Sequence, residues 1–165
     1  MRVRFWGVRG SVPYATRDSI GHGCNTACVE VISEQADRRL ILDAGSGIVG
    51  AGAAVSDARE IPIVLTHYHW DHVQGLPFFA PLYRQGVRVT VWAPALERSG
   101  AGIDTLFEPP FFPVPYDRLS SQPAIRTIVA GETTINGFEL SAQPLNHPGG
   151  SFAYRIRGSR GDLVY

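Results

Sequence analysis

Four residues of the types that bind metal ions lie within six positions of this 165-residue chain. They are His67, His69, Asp71 and His72 in the segment THYHWDH, which directly follows the apolar run IPIVL. At the His and Asp content of this chain, the four-residue pattern would arise by chance in about one of several thousand chains of this length, so it is a specific motif. Imidazole suits Zn, Fe, Ni and Cu, and carboxylate adds Mn. A surface or core histidine cluster is the alternative, but four such residues at a strand end favour a metal site.

The spacing of these four residues divides them into two pairs. In an extended chain residues i and i+2 point the same way, so His67 and His69 can present their imidazoles to one metal ion. The chain must then turn, and the adjacent Asp71 and His72 diverge, so they can face a second ion. Asp71 is also a candidate proton acceptor in catalysis.

His147, in the segment PLNHPGG, is the best candidate for a third ligand. Two histidines from one loop need a further protein ligand to hold a catalytic metal, and His147 also lies in a loop, just before the predicted strand SFAYRIR. The remaining histidine, His22, lies between glycines in an N-terminal loop. We expect it to be an exposed loop residue rather than a substrate contact.

Asp43 ends a predicted strand in the segment LDAGSG. A carboxylate at this place can accept a hydrogen bond from the ring N–H of a ligand histidine. It can equally cap the helix that is predicted after it. The two roles can coexist, and the sequence favours neither.

Short strands punctuated by glycine and proline predict an α/β or α+β fold. Strands are predicted at residues 2–6, 26–32, 39–42, 61–66, 87–92, 125–129, 137–145 and 151–157. The small-residue segment GIVGAGAAV predicts a helix packed closely on a sheet, and shorter helices are expected in LPFFAPLY and near residues 95–107. Asn136-Gly137 is a hairpin turn signal, and the final LVY begins a further strand.

The composition excludes several classes of function. Fifteen basic and fifteen acidic residues give a net charge of 0, so a strongly basic nucleic-acid footprint is absent. The chain has no lysine, which excludes lysine Schiff-base chemistry and a P-loop. No apolar run reaches the ~18 residues of a membrane span, and the N-terminus has no signal-peptide pattern. We therefore expect a cytoplasmic protein without a membrane partner, with Cys24 and Cys28 as reduced thiols.

With these motifs in place, the chain resembles the metallo-β-lactamase superfamily. THYHWDH resembles the metal motif of that superfamily, Leu42-Asp43-Ala44-Gly45 its first motif, and His147 its third. The segments RGS, GCNTAC, HWDHVQGLPFF and EPPFFPVP are similar to one branch, the phosphoribosyl cyclic phosphodiesterases, which is related to ribonuclease Z. The resemblance implies an αββα sandwich, two sheets face to face with helices outside.

The resemblance also implies roles for individual residues. His67, His69 and His147 would bind a first metal ion, and Asp71 and His72 would contribute to a second. Asp43 would accept a hydrogen bond from the ring N–H of a ligand histidine. Three N-terminal residues could contact a phosphate, although a structural role is favoured for them: Arg9, Ser11 and Asn25.

The activity implied is that of a metal-dependent phosphodiesterase. Two divalent ions, with zinc favoured over Mn or Fe, would activate a hydroxide that attacks a small cyclic or nucleotide phosphodiester. An RNA-processing nuclease of the ribonuclease Z type is one alternative, which zero net charge disfavours. A non-catalytic metal-binding or assembly module is another. A homodimer is also compatible with the sequence.

The family pattern extends beyond the residues present here. It requires a bridging Asp and a final His after the third motif, and the chain ends at Tyr165 without them. We therefore expect residues 1–165 to be a single domain without its C-terminal part, with an under-ligated second metal and with weak or no hydrolase activity. Apolar side chains such as Ile61, Ile63 and Leu65 should be uncovered, which favours association or poor solubility.

The segment EPPFFPVP carries a separate expectation. Four prolines in eight residues predict a rigid loop. The loop should present Phe111, Phe112 and Tyr116 to a substrate pocket or a dimer partner. The alternative is that these aromatic side chains fold back on the core.

Overall fold

A computed structural model describes residues 1–35, 37–55, 57–95 and 102–165. Its larger sheet has six strands whose spatial order is their order in the chain. The first three strands pair antiparallel, and the last four, from β3 onward, pair in parallel. The six strands are β1 (Arg2–Gly7), β2 (Cys28–Ile32), β3 (Arg39–Leu42), β4 (Glu60–Val64), β5 (Arg88–Pro94) and β6 (Ala124–Ile128).

The second sheet contains four antiparallel strands in the order β10-β9-β8-β7. They are β7 (Gly131–Ile135), β8 (Phe138–Leu145), β9 (Ser151–Ile156) and β10 (Leu163–Val164). Asn136 and Gly137, with φ of 48° and 75°, form the tight turn between β7 and β8. Both residues have the positive φ that a type I′ hairpin turn requires, so the turn signal in the sequence is confirmed.

The two sheets pack face to face, as the sequence resemblance predicts. Val29, Val31, Leu40 and Leu42 of the larger sheet meet an apolar layer of the second sheet, and all are buried. That layer consists of Ile135, Phe138, Leu140, Ala142, Phe152, Tyr154 and Ile156. Alternation along β2 places Val29 and Val31 between the sheets, while Cys28 joins the core on the other face.

Helices cover the outer face of the larger sheet. They are α1 (Ile48–Ala54), α2 (Trp70–Val73) and 3-10 turns at Leu76–Phe78, Ala80–Tyr83, Ile103–Phe107 and Tyr116–Arg118. A further 3-10 turn, at Ile20–His22, buries none of its side chains. The mixed α/β sandwich predicted from the sequence is thus confirmed, with a helical layer on the face of the larger sheet.

Ile61, Ile63 and Leu65 contradict the expectation of uncovered apolar side chains. All three are buried in the core on the helical side of the larger sheet. They pack in the same cluster as residues of α1 and of the 3-10 turns that follow α2, so the cover comes from within the described chain. The expectation was wrong because it assigned these side chains to the face between the sheets.

The proline-rich loop behaves differently from its prediction. Phe111 is 92% exposed, as expected, but Phe112 and Tyr116 pack against the buried core. Their rings meet Phe107 edge to face at 5.6 and 5.5 Å between centroids, and the Tyr116 hydroxyl donates to the Pro123 carbonyl. The interpretation in which the aromatics fold back is therefore correct for two of the three side chains.

Other differences from the predicted elements are local. Strand β7 was missed because its side chains are mostly exposed and polar, which gives no apolar alternation. The helix expected near residues 95–107 is a 3-10 turn at Ile103–Phe107, and residues 96–101 lie outside the described part of the chain. No helix in the described residues is long and apolar enough to cross a membrane.

Candidate metal centre

Two histidines that follow β4 and one from a distant loop meet at one end of the larger sheet. His67 lies just beyond β4, His69 is the residue that precedes α2, and His147 lies in the loop between β8 and β9. One ring nitrogen of each lies within 4.8 Å of the others. Strand β4 pairs in parallel with β3 and β5, so the loops that follow these strands lie at the same edge of the sheet. Ligand sites in open α/β sheets lie at this edge, beyond the carboxyl ends of the strands.

The donor set of this cluster fits a transition-metal ion. The ring centroids of His67 lie 4.5 Å from His69 and 4.8 Å from His147, and His69 Nδ1 is 3.1 Å from His147 Nε2. A tetrahedral zinc ion binds imidazole nitrogens at about 2.0–2.1 Å and takes three protein ligands in catalytic sites. Three nitrogens at these separations can therefore surround one such ion after small ring rotations.

His67 is prepared as a neutral ligand. Burial, followed by the neighbouring imidazole of His72, lowers its pKa to about 4, while the charge of Asp43 acts in the opposite direction. Its Nδ1 lies 2.9 Å from Thr66 Oγ1. A neutral ring keeps a lone pair at neutral pH, which is the form that binds a metal ion.

Asp71 and His72 lie beside the first cluster as an adjacent pair. Asp71 Oδ2 is 3.6 Å from His72 Nε2, and the rings of His67 and His72 are 4.1 Å apart. Burial opposes ionisation of Asp71, but the backbone N–H of Ser11 donates to Oδ2 at 2.8 Å, and with nearby His72 it holds the pKa below its usual value. Asp71 is therefore an ionised carboxylate at neutral pH.

The ring of His72 is hydrogen-bonded to the carboxylate of Asp43. Its Nδ1 lies 2.7 Å from Asp43 Oδ2. Burial alone would lower the pKa of His72, but the hydrogen bond to Asp43 and the charges of Asp43 and Asp71 raise it above its ordinary value. The contact leaves Nε2 as the ring nitrogen that faces Asp71.

Asp43 is fully buried, and its carboxylate serves several donors at once. The backbone N–H of Thr66 donates to Oδ1 at 2.7 Å, and Thr66 Oγ1 lies 2.9 Å from Oδ2. The residue before α1 is Gly47, and no side chain caps that helix, so the capping role considered for Asp43 is wrong. Asp43 has φ of 57°, a left-handed conformation that is uncommon for a residue with a side chain.

Close packing of two loops brings Asp43 and Asp71 into place. A side chain at Gly45 would clash with the Asp71 carbonyl, and one at Gly75 would clash with the Gly45 carbonyl. The backbone bonds Ala44 N–H to His72 O (2.8 Å) and Gly75 N–H to Ala44 O (2.9 Å) join the loops. Residues 45–50 spell G-x-G-x-x-G, the order of a dinucleotide fingerprint, but here the close approach of the Asp71 carbonyl accounts for the glycine at position 45.

The three residues considered for phosphate contact have structural partners. Arg9 Nε donates to the Val12 carbonyl at 3.0 Å, and Asn25 Oδ1 accepts from Ser46 Oγ at 3.1 Å. Ser11 approaches the site through its backbone N–H, with φ of 65°. His22, at the end of the 3-10 turn Ile20–His22, is exposed, as expected.

Two residues of the site were missed by sequence reasoning. Thr66 stands directly before His67 at the strand end, so its position in the motif was an available signal. Tyr165 donates its hydroxyl to Asp43 Oδ2 at 3.0 Å across 122 residues of sequence. No local pattern links two residues so far apart, and only the packing of the two sheets brings them together.

Comparisons with solved structures agree with the observed fold. YhfI from Bacillus subtilis, a metallo-β-lactamase fold protein, is 19% identical with a TM-score of 0.66, covering 99% of this chain and 60% of that chain. A diphosphatase from the PhnP family is 18% identical with a TM-score of 0.66, covering 93% and 61%. Human tRNase Z, short form, is 18% identical with a TM-score of 0.61, covering 98% and 67%. The chain thus spans about three fifths to two thirds of these similar structures.

The sequence comparisons address the family directly. A search of curated proteins gave no match. The family model described as Beta-lactamase superfamily domain matches residues 38–165, which include every histidine of the candidate centre. Because this match covers most of the sequence and the sandwich agrees with it, the chain belongs to the β-lactamase superfamily.

Proposed function

We propose that this protein is a metal-dependent hydrolase. The observation that carries the proposal is the convergence of His67, His69 and His147 within 4.8 Å, beside the pair Asp71 and His72. Three imidazoles at an exposed edge are a donor set for a catalytic ion, whereas structural zinc sites are closed by four protein ligands. A bound divalent ion would supply Lewis-acid polarisation of a phosphoryl oxygen and lower the pKa of water from 15.7 towards about 7.

The residues of the chain have distinct tasks in this proposal. The buried, neutral His67 is a fixed ligand, and the exposed His69 and His147 complete the first metal set. Asp71 and His72 contribute two ligands to a second ion. Catalytic zinc sites take three protein ligands, so we expect the second ion to need a ligand in addition to this pair. The ionised Asp71 is also positioned to accept a proton.

The proposed substrate is a small cyclic or nucleotide phosphodiester. The sequence resemblance to phosphoribosyl cyclic phosphodiesterases supports this class, and one similar structure is described as a diphosphatase. Similarity to human tRNase Z raises an RNA-processing nuclease as the alternative. Zero net charge favours the small substrate, because binding a long nucleic acid depends on many basic contacts to phosphate.

The test combines metal content with turnover. Wild-type protein, His69→Ala and His22→Ala would be loaded with Zn²⁺ or Mn²⁺, desalted, and assayed for bound metal and for hydrolysis of bis(p-nitrophenyl) phosphate. His22→Ala is the matched control, because it removes an exposed histidine outside the cluster. We expect His69→Ala alone to lose metal and activity.

The alternatives give different results in the same assay. Stoichiometric metal without turnover of the ester, of a cyclic nucleotide or of RNA would indicate a non-catalytic metal-binding module. Cleavage of RNA with no activity on small diesters would indicate the nuclease. Equal metal content in wild type and His69→Ala would contradict the proposed centre itself.

A further inference from the structure

The hydroxyl of Tyr165 contacts Asp43, the buried carboxylate that is hydrogen-bonded to His72 of the candidate centre. It donates to Asp43 Oδ2 at 3.0 Å, and its backbone pairs with Tyr154 through two N–H···O bonds of 2.9 Å. Burial raises the pKa of Tyr165 above its ordinary value, and the adjacent Asp43 charge raises it further. The hydroxyl therefore keeps its proton and acts as a donor at any pH at which the protein would be studied.

The hydrogen bonds around Asp43 determine which ring nitrogen of neutral His72 carries the proton. The described donors to this carboxylate are Thr66 N, Thr66 Oγ1, Tyr165 Oη and His72 Nδ1. Because the three other groups all donate to this carboxylate, it acts as the acceptor for His72 as well, so a neutral His72 carries its ring proton on Nδ1. The lone pair then lies on Nε2, the nitrogen that faces Asp71 at 3.6 Å.

The hydroxyl of Thr66 extends the same logic to His67. Thr66 has one hydroxyl proton, and it is directed to Asp43. Thr66 Oγ1 can therefore only accept from His67 Nδ1, which lies 2.9 Å away. Both rings thus present Nε2 to the metal centre, and both depend on the orientation of one carboxylate.

We propose that Tyr165 is a positioning residue of the metal centre, acting through Asp43 to hold His72 with its Nε2 directed at the second metal. Tyr165 Oη and His72 Nδ1 share the same oxygen, Oδ2, so the phenol fixes where that oxygen lies. This inference rests on the proposed function, since the second ion is what would use His72 Nε2.

Tyr154 provides a matched control for a merely structural phenol. Its hydroxyl is also hydrogen-bonded, but it donates to the Leu65 carbonyl at 2.7 Å rather than to Asp43. Tyr154 and Tyr165 are neighbours in paired strands. Replacing either by phenylalanine removes one hydroxyl and the hydrogen bond that it donates, so we expect the two variants to lose comparable stability.

The experiment compares Tyr165→Phe with Tyr154→Phe in two measurements. The ¹⁵N shifts of the His72 ring in metal-free protein report which nitrogen carries the proton. Competition with a chelator then gives the affinity for the second Zn²⁺ equivalent. We expect Tyr165→Phe to change the His72 shifts and to weaken the second zinc by about tenfold, the low end for losing an outer partner of a ligand. Tyr154→Phe should change neither.

The proposal is overturned if Tyr165→Phe keeps wild-type His72 shifts and zinc affinity, or if Tyr154→Phe reproduces its effects. If Tyr165→Phe does not fold, wild-type protein still gives a test. The protons of Tyr165 Oη and His72 Nδ1 converge on one oxygen, so a nuclear Overhauser effect should connect them, and its absence contradicts the assignment. The shift and the Overhauser effect need no metal, so they separate failure of this inference from failure of the proposed hydrolase.

Discussion

The four clustered imidazoles fall into two pairs that are supported in different ways. His67 and His72 each have Nδ1 within hydrogen-bond distance of a buried partner, Thr66 Oγ1 at 2.9 Å and Asp43 Oδ2 at 2.7 Å. His69 and His147 are exposed, and their ring nitrogens contact each other at 3.1 Å. The fold therefore sets the orientation of the first pair. The ring nitrogens of the second pair contact each other instead, so we expect a bound ion to set the orientation of these two rings.

This difference predicts which substitutions in the site lower the stability of the folded protein. A buried carboxylate with several donors stabilises the fold only while its partners are present, since buried donors without an acceptor cost about 1–3 kcal/mol each. Exposed imidazoles can be removed without such a penalty. Substitutions on the two sides should consequently separate stability from metal binding.

The largest effect is expected for Asp43→Ala. Loss of the carboxylate leaves the buried Thr66 N–H and the partly buried His72 ring without their acceptor. We expect the free energy of unfolding of the metal-free protein to fall by about 3–5 kcal/mol, as for removal of one partner from a buried ion pair. Urea unfolding in the presence of a chelator measures it, and a loss below about 1 kcal/mol would remove the distinction between the two pairs.

A smaller loss is expected for Thr66→Val, which keeps the shape of the side chain and removes the hydroxyl. His67 Nδ1 then loses its partner, and Asp43 loses one of its donors. The free energy of unfolding should fall by about 1–3 kcal/mol. Thr66→Ser, which restores the hydroxyl, is the control, and an equal loss in both variants would show that packing rather than hydrogen bonding is responsible.

The smallest effect on the metal-free protein is expected for His147→Ala, within about 0.5 kcal/mol, because the side chain is exposed. Its effect should emerge only with metal. At free zinc 100 times the wild-type dissociation constant, wild type should gain about 2.7 kcal/mol of stability. A tenfold loss of affinity would reduce that gain to about 1.4 kcal/mol. Thermal or urea unfolding with and without zinc measures both, and equal gains would exclude His147 as a ligand.

Local patterns predicted much of the fold. The runs at residues 39–42 and 151–157 became strands β3 and β9, and the small-residue segment became α1, because each carries its own periodicity or turn signal. Strand β7 escaped because exposed polar side chains give no apolar alternation. Phe112 was misplaced because sequence shows an aromatic side chain on a loop without showing the core that receives it.

By itself, the sequence determined the family, the sandwich and the identity of the candidate ligands, since spacing along one strand and one turn decides which side chains can share an ion. Only the tertiary structure decided what supports those ligands. Asp43 and Thr66 follow the adjacent strands β3 and β4 of one sheet, whereas Tyr165 follows β10 and reaches Asp43 only because the two sheets pack together. Hydrogen bonds depend on distances of a few ångströms in space, which local sequence patterns do not encode for residues more than a hundred positions apart.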